Sequence, residues 1–230
     1  MNQYSEIVSQ ASQSERADFY KRTYLHVALA VLAFMVVESF LLRFIPGELI
    51  AMMFGGSYVW LFIIGLFWLG SFIANKFAFS LSRSAQYFGL GLYILLEAII
   101  FLPMIYFALG FEGAENVVMQ ATVLTLSMFG GLTALVFMSG YDFSFLRTGI
   151  VIGGFVALGL IVVASFYGGL NLGAWFSLAM VVLASASILY QTSQIKDHYT
   201  TNQYVGASLQ IFASIMLLFW YLLRLLSSRD

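Results

Sequence analysis

Two carboxylates stand where an ionised group is expensive: Glu38 and Glu97 each lie inside a long apolar run. On insertion scales a charge at such a place costs about 2.5–3.5 kcal/mol, and intramembrane acids therefore mark ion or proton paths, or stay protonated and hydrogen-bonded. Glu97 sits mid-run and, unlike Lys or Arg, is too short to reach water, so it is expected to face the bundle interior. There it is either a proton or cation site in an aqueous cavity or a protonated carboxyl bonded to a neighbouring helix. Glu38, nearer one end of its run, carries the same two readings. Pro103, a short way beyond Glu97, frees a backbone carbonyl beside it.

Other reactive groups are sparse. The chain has 2 His and 0 Cys, and no HExxH, GxSxG, Walker A or GxGxxG pattern. A nucleophile with its base, a metal set and a nucleotide loop are therefore all missing from the motifs. Covalent catalysis is not expected, and no cofactor is called for. His26 reads as interfacial, and His198 follows Lys196 and Asp197 in a solvated loop, open either to pH sensing or to plain solvation. Gly149 and Gly153 have the spacing that lets membrane helices approach closely, and Trp60, Trp68, Trp175 and Trp220 fit interfacial belts.

The elements that must position these groups follow from composition. At 61% hydrophobic and 9% charged, against about 45–50% and 25% in soluble chains, a water-soluble globule is excluded. A mean hydropathy of +0.92 makes the lipid bilayer the main partner. A net charge of -1 leaves no basic face for nucleic acid. Cutting the chain at charge, Pro and Gly gives seven apolar segments, near 24–44, 50–73, 85–109, 117–139, 148–168, 173–192 and 203–226. Their length and lack of alternation predict an all-α integral membrane protein, a seven-transmembrane-helix bundle.

In this reading residues 1–23 form an N-terminal tail, 24–226 the transmembrane domain and 227–230 a short C-terminal tail. The tail is polar, so no cleavable signal peptide is expected. Ser12 and Glu15 have capping-box spacing, which leaves open a short interfacial helix or a solvated leader. Tight turns are expected at 44–48 and 168–171. Arg16, Lys21, Arg22, Lys76, Arg83, Arg147 and Lys196 fall on the N-terminal side, against Arg43, Arg224 and Arg229 on the other. That bias predicts a cytoplasmic N-terminus and, with an odd number of spans, a C-terminus on the opposite face.

The last third of the chain is the most informative. The sixth span ends in the polar run Ser187 to Lys196, and the seventh carries Gln210 and Ser214 among Leu and Phe, so these groups need partners within the bundle. The run Ile188-Leu189-Tyr190-Gln191-Thr192-Ser193-Gln194-Ile195 resembles the Bax inhibitor-1 family, in its YccA-like bacterial branch. So do Asp142-Phe143-Ser144-Phe145-Leu146, the ending Leu222-Leu223-Arg224-Leu225-Leu226, and the Glu97-to-Pro103 stretch. The family's pattern places one aspartate after the tyrosine of the sixth helix and another in the seventh, a pair that resembles a pH-sensitive latch on a calcium pathway. The matching positions here are Gln191 and Ser214, an amide and a hydroxyl able to hydrogen-bond one another but not to change charge near neutral pH. The YccA-like resemblance implies a non-enzymatic protein of the bacterial inner membrane, its C-terminus periplasmic or extracellular, that binds and modulates an FtsH-type membrane-anchored AAA+ protease, with the N-terminal tail as the segment gripped. The alternative it implies is a pH-related calcium or proton leak through Glu97, with Glu38 and the contacts around Gln191 and Ser214.

Overall fold

A computed structural model of the chain describes residues 6–53, 55–110, 114–167 and 172–227. The expected 168–171 turn, and residues 228–230 with the Arg229 of the charge count, lie outside the described residues. The described chain is helical almost throughout: α1 Gln13–Phe44, α2 Gly47–Met53, α3 Ser57–Ala78, α4 Arg83–Leu109, α5 Ala114–Ser139, α6 Leu146–Tyr167, α7 Gly173–Asp197 and α8 Tyr204–Ser227. All but α2 are long and apolar enough to cross a membrane, which gives the seven spans expected.

Three boundaries differ from the sequence expectation. The first helix starts at Gln13 because Ser12 and Glu15 close a full capping box, so residues 13–23 are its opening turns. The second span runs from Ser57 to Ala78 rather than 50–73. Apolar residues 49–53 belong instead to α2, a separate short helix that is set off by Pro46, broken from α3 at Gly55 and Gly56, and anchored by the fully buried Ile50. The sixth span continues through the polar run to Asp197, where Ser187, Gln191, Ser193 and Gln194 find partners instead of ending the helix.

Residues 6–11 are not a free leader. Val8 donates its N–H to Tyr199 O at 2.8 Å, Thr201 donates to Glu6 O at 3.0 Å, and Ile7 pairs with Thr200 as an isolated antiparallel bridge. Val8 is fully buried there, so the segment is clipped to the α7–α8 loop by a side chain as well as by backbone bonds.

The core gathers on α8, which is buried along most of its length from Tyr204 to Leu223 and is packed by α1, α4, α5 and α7. Aromatic rings fix its height against α4: Tyr93 meets Phe212 edge-on at 6.2 Å, and Phe101 stacks on Phe219 at 5.6 Å. By contrast α3 and α6 turn most of their large apolar side chains outward, as lipid-facing helices do.

Close approach decides two glycines differently. A Cβ on Gly89 would lie 2.5 Å from Ala74 O and 2.6 Å from Ala78 N, so α3 and α4 touch backbone to backbone there. Of the pair expected to pack closely, a Cβ on Gly153 would meet the tip of Leu183 of α7 at 2.7 Å, whereas one on Gly149 would meet nothing. Gly89→Ala should therefore cost about 1–3 kcal/mol of stability by overpacking, while Gly149→Ala should be neutral. Thermal unfolding in detergent micelles checks this, and equal midpoints for the two variants would contradict the close α3–α4 contact.

Candidate functional site

Polar side chains inside the bundle are concentrated where α7 and α8 run antiparallel. Gln191 Nε2 donates to Gln210 Oε1 at 3.3 Å, and one turn further Ser187 and Ser214 hydroxyls meet at 2.9 Å. Moving four residues back along α7 is matched by four forward along α8, so the contacts form rungs. Ser214 gives its only proton to Gln210 O at 3.0 Å, which makes Ser187 the donor in the serine rung. Gln191 and Ser214 are thus not each other's partners as the sequence suggested. They sit on neighbouring rungs because the helix pair is antiparallel.

The Gln191 rung extends sideways into a directed chain. Tyr199 OH donates to Gln191 Oε1 at 3.5 Å, and Gln210 Nε2 donates to Asn75 Oδ1 on α3 at 2.7 Å. Tyr199 lies in the α7–α8 loop, stacked on Phe79 at 5.7 Å. Burial pushes its hydroxyl above the ordinary tyrosine range, so it remains a neutral donor. These groups close the end of the bundle that carries residues 6–12. Sequence reasoning missed Asn75 and Tyr199, although the one-turn spacings Ser187–Gln191 and Gln210–Ser214 already mark matching stripes on α7 and α8.

From this closure a cavity of about 620 Å³ extends toward the opposite end, between α3, α4, α6, α7 and α8. Its wall includes Gln210 and Arg224, which at about 1.5 Å rise per residue are about 21 Å apart along α8. Glu97, Gln191 and Ser214 all line it; Glu38 is not on its wall. Glu97 is 5% exposed, with Tyr93 one turn before it on α4 lining the same cavity. The ring contacts above and below place it level with the middle of α8, about 12 Å short of Arg224 along the axis. Glu38, 4% exposed on α1, has no hydrogen-bond partner for either carboxylate oxygen among the described residues.

The tryptophans divide as well. Trp68 and Trp175 are exposed, as belt residues are, but Trp60 and Trp220 stack at 6.1 Å and both line the cavity. Arg224 marks the far end, its guanidinium 5.8 Å from the Phe176 ring centroid. His26 is half-buried, bonded through its two ring nitrogens to Arg22 O and Tyr87 OH, and takes no part in the cavity.

The two signature runs of the sequence meet at the closed end. Asp142 Oδ1 accepts from Ser144 N and from Ser193 Oγ, both at 2.9 Å, and Ser193 Oγ accepts from Phe143 N at 3.0 Å. Gln194 Nε2 donates to Ser144 Oγ at 2.9 Å. The α5–α6 loop is thereby latched to the end of α7. Hydrogen bonds from Ser144, then Ser193, hold the Asp142 carboxyl below the ordinary aspartate value of 3.8. Arg83 of α4 ties in the remaining loop by donating to Asn202 O at 3.1 Å, while its guanidinium lies 4.3 Å from the Tyr204 ring centroid.

A helical bundle with seven segments long and apolar enough to cross a membrane, and a cavity between them lined by aromatic and polar side chains, is a multi-pass membrane protein. The chain belongs to the Bax inhibitor-1 family, whose model, described as Inhibitor of apoptosis-promoting Bax1, matches residues 16–230. It is 36% identical over 123 residues to an uncharacterised protein of Pseudomonas aeruginosa, covering 54% of this chain and 55% of that one. It is 33% identical over 124 residues to a BI1-like protein of Arabidopsis thaliana, covering 50% and 46%. With an uncharacterised membrane protein of Vibrio cholerae it shares 31% over 124 residues, 54% and 55% of the two chains. The chain thus spans about half the length of the curated relatives it matches.

The Asp142 latch carries a pH signature of definite sign. A carboxyl held below its ordinary value stabilises the fold above pH 3.8, and the contribution is lost as pH falls through the lowered value. The thermal midpoint of the native chain should exceed that of Asp142→Asn throughout about pH 5.5 to 8, the gap closing only in stronger acid. A gap that closed near neutrality would contradict this assignment.

Proposed function

We propose that the chain handles a proton or monovalent cation at Glu97, in a pathway closed at its N-terminal end. The observation that carries this reading is a deeply buried carboxylate on the wall of a cavity of about 620 Å³, with no salt bridge to it among the described residues. An ionised carboxylate there has its counter-charge to gain from whatever cation enters. The donor set favours a proton or a singly charged ion over calcium. Ca²⁺ takes about 6–8 oxygen ligands, usually with several carboxylates, and no group of three or more His, Cys, Asp or Glu that could hold a metal occurs among the described residues. The amide chain from Tyr199 to Asn75 supplies the closure. Following the Lys/Arg bias, the closed end faces the cytoplasm of a bacterial inner membrane. No covalent step is part of the proposal.

The YccA-like resemblance supports a second reading, modulation of an FtsH-type membrane protease, and the N-terminal segment is where it bears. Glu6, Ser9 and Gln10 are exposed, but Val8 is buried and the segment is bonded to the α7–α8 loop. A protease that gripped this segment would first have to unclip it, and with it the loop that holds Tyr199. Deleting residues 2–11 is expected to change turnover by such a protease if this reading holds; unchanged turnover would count against it.

Purified protein in proteoliposomes distinguishes the pathway. An imposed proton gradient should dissipate faster than in empty vesicles, Glu97→Gln should bring the rate back to the empty-vesicle level, and trapped calcium should be retained. Native vesicles as tight as empty ones would sink the pathway reading, and calcium release dependent on Glu97 would overturn the preference for a monovalent ion.

A further inference from the structure

Resting on the reading of Glu97 as the charged group of the cavity, we propose that the occupant of this site is a hydrophobic organic monocation, seated with its charge against Glu97 and its apolar body against the aromatic wall. The volume is the first argument. About 620 Å³ falls within the range of pockets that enclose drug-sized molecules, about 300–1,000 Å³, and far exceeds what a proton or a bare metal ion needs. The wall is the second. Trp60 and Phe67 from α3, Tyr93 and Phe101 from α4, and Trp220 from α8 line the same space as Glu97. Aromatic faces attract cations through the ring quadrupole, most strongly where water is excluded.

Charge is the third argument. The wall carries one carboxylate and one guanidinium, and they are separated along α8. A cation in contact with Glu97 lies several times closer to that carboxylate than to Arg224, about 12 Å further along the helix, and Coulomb attraction falls with distance, so attraction dominates. Arg224 is also drawn aside over the Phe176 ring. An anionic amphiphile placed with its headgroup on Arg224 would instead push its chain toward the buried acid. The cost of desolvation points the same way, because a large cation with its charge spread over apolar groups gives up less hydration than a small hard one. The serines and glutamines nearby are already paired with one another, which leaves few oxygens free to replace the water around a metal ion.

The probe is tetraphenylphosphonium, with tetraphenylborate as an anion of the same shape. Full-length protein in detergent should bind the phosphonium saturably by equilibrium dialysis, with quenching of tryptophan fluorescence from the Trp60–Trp220 pair. Glu97→Gln should weaken binding at least tenfold, Trp220→Ala should weaken it to a lesser degree, and Glu97→Asp should retain it. Helix content and thermal midpoint, measured on each variant, separate lost binding from lost folding. Arg224→Ala should bind the phosphonium as well as the native chain or better. Equal binding of tetraphenylborate, undiminished binding by a folded Glu97→Gln variant, or loss of binding in a folded Arg224→Ala variant would overturn the proposal; the last would point to an anionic headgroup site. Glu97-dependent proton flux without phosphonium binding would overturn only this inference, whereas phosphonium binding without proton flux would overturn only the pathway.

Discussion

Within hydrocarbon a polar side chain on a spanning helix is costly unless it finds a partner, in its own helix or another, and α8 imposes that requirement at the centre of the bundle. Its Gln210 and Ser214 take partners from α7 and α3, which present matching groups at the right height. Ser187 and Gln191 do so from α7 and Asn75 from α3. A slip of one turn between α7 and α8 would leave amides unpaired at about 1–3 kcal/mol each, comparable with the packing contributions that would resist it. Three neutral hydrogen bonds thus help to set the register of these three helices. The same bonds account for the cavity, because the small side chains of the serine rung, with Ala213, Ala164 and Ser165, leave space opposite the aromatic residues of α3 and α4.

The two ends of the molecule are built differently. At one end three loops and the N-terminal segment are cross-tied: Asp142 to Ser193, Arg83 to Asn202, and Val8 to Tyr199. At the other, α8 passes Arg224 and the cavity reaches its outer limit. Ties of this kind raise the cost of opening the end that carries residues 6–12.

How far this architecture is legible in the sequence depends on which helices are in contact. Seven spans are readable because length and apolarity are properties of a segment by itself, and the capping box at Ser12 is readable because its partners are three residues apart. The segment 47–53 is not, since Leu49 to Met53 look like the start of a span and only the burial of Ile50 in a separate turn of helix sets them apart. Glu38 and Glu97 are nearly equivalent in the sequence, and what distinguishes them is the neighbouring helices: Glu97 opens on a cavity and Glu38 is walled in. Trp60 and Trp220 likewise look like belt residues until α3 and α8 bring their rings together. Polar pairing between α7 and α8 is half legible. The stripes are visible in the sequence, but the offset that pairs Gln191 with Gln210 is set by the loop and by the stagger of the helices.

Neutral groups at positions 191 and 214 also change what the cavity can respond to. Two carboxylates on adjacent rungs would repel each other and compete for a proton, so closure of the N-terminal end would be tied to pH. An amide and a hydroxyl bind the rungs with the same geometry whatever the proton concentration in the physiological range. The closure is thus uncoupled from titration, and among the residues lining the cavity Glu97 is left as the carboxylate. On the proposed reading a ligand beside Glu97 would act on the closure indirectly, through α4 and α8, whose heights are matched by the Tyr93–Phe212 and Phe101–Phe219 contacts on either side of Glu97. A ligand that shifts α4 relative to α8 strains the Gln210 rung one to two turns away, which makes packing the link between the acid and the amide chain.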